Sequence, residues 1–394
     1  MSTRVLHIFA PNFKKRFGGP IFDWKYSFSH WDEPAVQHNV LDYDLQRSVP
    51  AKSAFDFQLS DSQVLTSRVK RFIWALELTR YLIKHKKNYD ILHFHILWWG
   101  SLLGAALAKF LTIPSIYQSV LLNSDTPGSI LNENLGKIKL RLLRNFSLIL
   151  PISESLTEDY YQHDFSKDQV ITLMNSVDTN LFHPIQSVAE KGALRKKYQL
   201  PPDATVLLFI GSLIKRKGVD ILLESFFQAS EQYPDLFLLI VGPKTKGENP
   251  SLDEGFVNHL QQQINRKRLE NRVHLAGLIK DRQTIAELYR AADMFIFPSR
   301  NEGLPNVVLE AMASGLPVIV SALPGLQPVI SHQENGIMVP IGDVDGFSKA
   351  IINLKKIPGL AEQLGENARE YILQNHRFAR WQSELIKIYQ DLLT

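Results

Sequence analysis

The feature that most restricts the fold is a succession of short, uninterrupted apolar runs separated by segments with helical spacing. In the first half the runs are VLHIFA at 5–10, AVQHNVL at 35–41, ILHFHI at 91–96, PSIYQSV at 114–120, SLILPIS at 147–153 and VITLMN at 170–175. Segments 62–88, 99–111, 134–146 and 153–162 read as helices between them. In the second half the runs are TVLLFIG at 205–211, LFLLIVG at 236–242, VHLAG at 273–277, MFIFPS at 294–299, PVIVS at 317–321 and GIMVP at 336–340. A strand with one wet face alternates apolar and polar residues, whereas a strand covered on both faces is apolar throughout. Strand–helix alternation built from such runs predicts an α/β chain with two doubly wound parallel sheets.

A chain of 394 residues has room for two such domains. The boundary is expected near 184–203, where Pro184, a charged helix and the Pro201–Pro202 pair fall together. With no cysteine, disulfides, thiolate metal sites and a cysteine nucleophile are excluded. A net charge of +4 is too small to imply nucleic acid, which is not expected as a partner. The N-terminus is not read as a signal peptide, because Lys14, Lys15 and Arg16 follow its short apolar stretch. The 18 residues from Ile91 to Ala108 contain no Asp, Glu, Lys or Arg, the lower edge of a membrane-spanning length. A buried strand followed by a buried helix containing Gly100 and Gly104 accounts for them better.

Ligands of open parallel sheets sit beyond the carboxyl ends of the strands, so residues that follow strands are the candidates for chemistry. After the 205–210 run comes GSLIKRKG, Gly211 to Gly218, with Lys215, Arg216 and Lys217 in the turn and Gly218 opening a helix. Small residues, cations and a helix start suit a diphosphate; the same letters also suit a solvated basic loop. After the 294–298 run comes PSRNEGLPNVVLEAMASGLPVI. Leu304 precedes Pro305 and is pushed out of helical geometry, which makes Asn306 the expected N-cap. Glu302 then lies on the loop and Glu310 one turn inside the helix, where both can accept hydrogen bonds from a hydroxyl-rich ligand. Alternatively, Glu310 is simply an acid near a helix start and Glu302 a solvated loop acid.

Taken together, GSLIKRKG, the Glu-x7-Glu of EGLPNVVLE and the following AMASGLPVI resemble the donor domain of glycosyltransferase family 4, from about Val170 onward. NSVDTNLFHP at 175–184 is similar to another segment of that family, with Ser176 in place of glycine. The first half resembles the family only in layout, through Gly18–Gly19 and the His-rich fourth strand. The resemblance implies two Rossmann-like domains facing a cleft in the GT-B arrangement. Their extents would be 1–187 for the acceptor, 188–375 for the donor, and a helix at 376–394 returning to the first domain. That helix, HRFARWQSELIKIYQDLL, carries Phe378, Trp381, Leu385, Ile388 and Leu392 at helical spacing.

The activity implied is retaining transfer from a nucleoside-diphosphate sugar, UDP-sugar before GDP-sugar, to an acceptor hydroxyl. By the same resemblance Arg216 and Lys217 hold the diphosphate, with Gly211 and Ser212 beside it. Glu302 and the amides of Gly303 and Leu304 hold the sugar, and Glu310 the ribose. Pro305, Asn306, Val307 and Val308 bring a helix start to the phosphates, Leu278, Ile279 and Lys280 edge the base, and Gly18 and Gly19 close over the phosphates. Two departures stand out. Ser212 replaces a common arginine, so that contact is lost or supplied by Lys215, and YQSVLLNSD lacks the usual Thr-x-His, so either the donor sugar differs there or His95, Ser119 or Asn123 substitutes. His95 and His93 can equally be satisfied core histidines.

No cofactor or catalytic metal is expected. DYD at 42–44 and DVD at 343–345 resemble the Asp-x-Asp of metal-dependent transferases, but DVD follows Gly342 and reads as a helix start with capping acids. Basic helices at 64–88, with Phe72, Ile73, Trp74, Tyr81 and Leu82, and at 137–146 suit either a peripheral contact with anionic lipid or a solvated face over a buried side. A cytoplasmic enzyme at the inner membrane face, acting on a sugar or lipid-linked acceptor in bacterial polysaccharide or glycolipid assembly, is the expectation. A nucleotide-sugar epimerase or hydrolase of the same fold, or a non-catalytic nucleotide-sugar binding protein, are the alternatives.

Overall fold

The computed structural model describes residues 2–9, 28, 31, 34–41, 48–50, 68–121, 124–249 and 252–394. They form two compact units, one of Met1–Met174 with Trp381–Thr394 and one of Asn175–Arg380. Each unit is built on a six-stranded sheet. The fold class expected from the apolar runs is therefore present twice.

In the first unit the strands are β1 (Thr3–Ile8), β2 (Val36–Leu41), β3 (Ser48–Pro50), β4 (Ile91–Phe94), β5 (Ser115–Ser119) and β6 (Leu148–Pro151), in the order β3-β2-β1-β4-β5-β6. All pairs are parallel except the short edge strand β3, which runs antiparallel to β2 and has no apolar run to announce it. The run at 170–175 is not a strand. It makes one bridge, Val170 to Ile149, and donates amides of Ile171 and Leu173 to the carbonyls of Ile149 and Pro151. Pro151 has no amide with which to continue the ladder.

The uncharged stretch 91–108 divides as the strand–helix reading requires, into β4 and the start of helix Trp99–Phe110. Among the described residues no helix is long and apolar enough to cross a membrane. Helix Arg68–Lys84 buries Trp74, Leu78, Tyr81 and Leu82 in the core. Trp74, Tyr81 and Leu82 thus form the buried side that the solvated-face reading allows, while Ile73, Leu76 and Ile83 are exposed.

The second unit contains β7 (Thr205–Ile210), β8 (Leu236–Val241), β9 (Val273–Gly277), β10 (Met294–Phe297), β11 (Val318–Ser321) and β12 (Ile337–Val339). They are ordered β12-β11-β10-β7-β8-β9 and all parallel. From β7 the chain winds outward to β8 and β9, then crosses back to β10 and winds outward the other way. The point of reversal lies between β7 and β10, the place at which open parallel sheets take ligands beyond the carboxyl ends of their strands.

The division falls at 174/175 rather than at the 187/188 expected. Segment 175–184 is fastened to the second unit: Asn175 Nδ2 donates to Leu304 O at 3.0 Å, Val177 bridges to Arg377, and buried Phe182 meets Tyr289 edge-on. Helix Leu360–Asn375 likewise belongs to the second unit, whereas Trp381 onward belongs to the first. The last helix, Phe378–Asp391, buries Trp381, Leu385 and Tyr389, a strict four-residue stripe. Phe378, Ile388 and Leu392 of the expected stripe are only half-buried.

Candidate active site

The chain leaves β7 through Gly211 and Ser212 and turns once at Lys215–Lys217 before helix Val219–Gln232. Gly218 caps that helix with φ at +71°, and a Cβ there would lie 1.9 Å from the carbonyl oxygen of Pro298. Only glycine tolerates both conditions, so it lets the turn after β7 touch the loop after β10 backbone to backbone. Arg300 N donates to Arg216 O at 2.8 Å, and Ser299 Oγ lies 3.1 Å from the same oxygen. Arg300 Nη1 donates to Lys215 O at 2.5 Å, and Arg216 Nη1 to Asn301 O at 2.6 Å. A two-pronged pair between Arg300 and Asp220, at 2.8 and 2.7 Å, holds the arginine in place.

This clamp brings three predicted residues together. Lys217 Nζ and Arg216 Nη1 each lie 2.7 Å from Glu302 Oε1, which also accepts from Ser299 Oγ at 2.8 Å. The Glu302 side chain is 9% exposed, against 18% for Lys217 and 36% for Arg216. Burial alone would raise the Glu302 carboxyl, but the charges of Lys217 and Arg216 outweigh it and hold the group below the usual carboxylate range. Burial pulls Lys217 the other way, below an ordinary lysine, despite the attraction of Glu302. Its ammonium also stands over the Phe297 ring, 5.1 Å from the centroid.

Helix Asn306–Ala313 begins one residue earlier than expected, with Pro305 as its cap. Asn306 does not cap it; its Oδ1 instead accepts from Asn175 Nδ2 at 2.6 Å, within reach because segment 175–184 lies on this unit. Gly303 is pressed from behind by Gly325, where a Cβ would stand 1.5 Å from the Gly303 oxygen. Buried Glu310 pairs with Arg282 Nη2 at 3.2 Å and accepts from Tyr289 Oη at 3.2 Å. Burial raises its carboxyl and outweighs the pull of Arg282 and Tyr289. The same hydroxyl also lies 2.9 Å from Val307 O, an alternative acceptor for its one proton that ties this cluster to the helix start.

The remaining predicted residues are more dispersed. Ser212 Oγ accepts from Asn249 Nδ2 at 3.2 Å, and Lys215 is exposed. Leu278 and Ile279 are half-buried and Lys280 exposed on the loop after β9, two strands away from β7. Leu304 is buried. Asp343 caps helix Val344–Lys356 through Gly346 N, as expected of a capping acid, whereas Asp345 accepts from the side chain of Gln228 on another helix. In the first unit Ser119 is buried at the end of β5. His95 is buried just past β4 and is engaged at both ring nitrogens, by His7 at 2.8 Å and by Gln118 at 3.2 Å. Burial lowers it to about 3, so it is a neutral imidazole of the core type. Gly18, Gly19, Asn123 and Asp42–Asp44 lie outside the described residues.

Two cations sharing one buried carboxylate at the reversal point of a parallel sheet can exchange that carboxylate for an anionic ligand. The sequence model of one family, described as Glycosyl transferases group 1, matches residues 190–371, which contain all of these side chains. The second unit thus carries a group 1, GT4-like glycosyltransferase region. The chain is 26% identical over 320 residues to a D-inositol 3-phosphate glycosyltransferase of Corynebacterium aurimucosum, covering 78% of this chain and 73% of the relative. HepE of Anabaena, solved with UDP, shares its fold at a TM-score of 0.76 and 19% identity, over 99% of this chain and 100% of that one. A sucrose-phosphate synthase of Thermosynechococcus elongatus superposes at 0.74 with 21% identity, over 99% of each.

Several residues of this site escaped the motif reading. Ser299 and Arg300 flank Glu302, but their partners Arg216 and Asp220 lie some eighty positions back. Arg282 and Tyr289 sit on another helix, Arg282–Ala291. Only Ser299 carried a signal, as the first polar residue beyond a buried strand and its proline.

Proposed function

We propose that this glycosyltransferase moves a hexosyl group from a nucleoside-diphosphate sugar, UDP-sugar before GDP-sugar, to an acceptor hydroxyl with retention at the anomeric carbon. The observation that carries the reading is the shared contact of Lys217 and Arg216 with Glu302, at 2.7 Å each. The diphosphate takes over the two cations, and Glu302, released from them, accepts hydroxyls of the sugar. Glu310 accepts the ribose diol while Arg282 and Tyr289 hold its carboxylate. The bond from the anomeric carbon to the diphosphate oxygen breaks, and the cations carry the charge that grows on the leaving group. The acceptor oxygen attacks from the same face and gives its proton to the departing diphosphate. No metal is needed for this step, because fixed cations supply the charge. The solved complex of HepE with UDP supports a uridine nucleotide.

A thermal-shift screen of UDP- and GDP-sugars, followed by turnover with and without acceptor sugars, tests the proposal. Donor consumed without acceptor would point to an epimerase or hydrolase. Tight binding with no turnover on any acceptor would point to a binding protein.

A contact with anionic lipid at the inner membrane face, serving a lipid-linked acceptor in polysaccharide or glycolipid assembly, has its own support in the first unit. Ile73, Leu76, Ile83, Trp99, Leu103, Phe110 and Ile138 are exposed there, among the exposed cations Arg80, Lys84, Lys86, Lys87, Lys137 and Arg141. Flotation with vesicles that does not respond to anionic lipid removes it.

A further inference from the structure

The loop between β10 and helix Asn306–Ala313 carries backbone groups that its own unit does not use. Glu302, Gly303 and Leu304 are all buried. Among the described residues nothing accepts from their three amides. Nearly all buried amides in folded proteins have a partner, so three in succession point to a bound acceptor.

The carbonyls of the same loop are engaged, and they decide where the amides aim. Gly303 O abuts Gly325, where a Cβ would stand 1.5 Å from it. The φ of Gly325 lies outside the left-handed region, so close approach alone calls for glycine there. In a trans peptide the N–H and C=O point opposite ways, so the Leu304 amide, in the same peptide unit as Gly303 O, faces away from Gly325. On the other side, Leu304 O accepts from Asn175 Nδ2 at 3.0 Å, and the same nitrogen donates to Asn306 Oδ1 at 2.6 Å. Pro305, with its fixed φ, lies between these two acceptors. One side chain therefore grips the loop on both sides of a stiff residue. Asn175 is itself anchored: His376 Nδ1 donates to its carbonyl at 2.8 Å, and Val177 N donates to His376 O at 2.9 Å.

We propose that Asn175 is a positioning residue for the donor sugar: with Gly325 as backstop it turns loop 302–306 so that the Leu304 amide meets a sugar oxygen beside the Glu302 carboxylate. It acts through the loop and touches no reacting atom. The inference rests on the reading of this site as one for a nucleoside-diphosphate sugar. A hydroxyl placed there gives its proton to Glu302 and accepts from the amide, so the pair asks for a group that is donor and acceptor at once. A methoxy or fluoro group in its place meets only the amide.

The test is calorimetry on the whole chain with UDP-glucose and GDP-mannose, each against its free nucleoside diphosphate, followed by donor turnover. Wild type should prefer one of the two sugar nucleotides over its diphosphate. Asn175→Ala should cut the affinity for that sugar nucleotide about tenfold, and raise its KM to match, as loss of a hydrogen bond would. Affinity for the free diphosphate should stay within about twofold, because Lys217 and Arg216 are untouched; a merely structural role would weaken both together. Asn175→Asp keeps the shape. The Asn306 amide can turn to donate to the new carboxylate, but Leu304 O can only accept and is repelled, so this variant should lose at least as much as the alanine one. A sugar preference retained in both folded variants, or diphosphate affinity lost in step with the sugar nucleotide, overturns the inference alone. A wild type that prefers neither sugar nucleotide overturns it together with the reading on which it rests. Should Asn175→Ala fail to fold, Asn175→Asp decides.

Discussion

Replacing Glu302 by Gln should move stability and nucleotide affinity in opposite directions. In the ligand-free protein the carboxylate neutralises Lys217 and Arg216 at 2.7 Å. Removing one partner from a buried ion pair costs about 3–5 kcal/mol. Arg216 is more than a third exposed and its share is screened, and glutamine can keep the bond from Ser299, so about 2–3 kcal/mol is expected. For a unit of this size about 2–4 °C accompanies each kcal/mol, so Tm should fall by about 5–10 °C. UDP, by contrast, no longer competes with a carboxylate for the two cations. Its affinity should rise about tenfold, or about 1.4 kcal/mol, while turnover of the intact donor falls more than tenfold. Thermal unfolding with and without UDP, calorimetric titration and a donor-turnover assay read the three quantities. A folded Glu302→Gln protein that binds UDP more weakly than wild type would refute the reasoning, because Glu302 would then be supporting the anion site rather than occupying it.

Lys217→Ala should lower kcat by about 10²–10³, the scale seen when one charge-stabilising donor is removed. Its Tm should move less than that of Glu302→Gln, because Arg216 still pairs with Glu302. Gly218→Ala should destabilise the second unit by about 2–3 kcal/mol and abolish UDP binding, since the added Cβ meets the Pro298 carbonyl in a left-handed conformation; denaturant unfolding measures the first effect and calorimetry the other. The acid limb of stability carries a sign. The folded Glu302 carboxyl lies below its unfolded value of about 4.3, so its contribution is present above that pH and is lost as pH falls through the folded value. The gap in Tm between wild type and Glu302→Gln should therefore close below about pH 4, and a gap that widens on acidification would contradict the ion pair.

The strands covered on both faces were legible because burial writes a continuous apolar run. Where the covering stops, the reading failed. The edge strand β3 carries no such run, and the apolar 170–175 segment lies alongside Pro151, which cannot continue a ladder. The cation turn and Glu302 were legible because each follows a strand, and adjacent strands β7 and β10 bring their loops together. Glu302 and Glu310 read as a pair by spacing, yet their contacts separate them: one answers to Lys217 and Arg216, the other to Arg282 and Tyr289. Neither set of partners is local, so no window of sequence displays them. Asn306 shows the same effect at a single residue. Its propensity predicts a cap, but Asn175, carried in by a segment assigned to the other domain, claims its side chain.

The pairing of Glu302 with the cations bears on which ligands this site accepts. A bare diphosphate that takes Lys217 and Arg216 leaves a buried carboxylate resting on the Ser299 hydroxyl. An unsatisfied buried acceptor costs about 1–3 kcal/mol, and more when charged. A nucleotide sugar brings hydroxyl donors to the same carboxylate along with its diphosphate, so it recovers that cost and UDP does not. Wild type should then prefer the cognate UDP-sugar over UDP by about 5–150-fold, a ratio that collapses toward unity in Glu302→Gln as UDP gains and the sugar loses its acceptor. Sugars lacking the hydroxyl that meets Glu302 should bind like UDP to both proteins. A preference that survives the substitution would mean that other groups recognise the sugar, and Glu302 would be left with the electrostatic role alone.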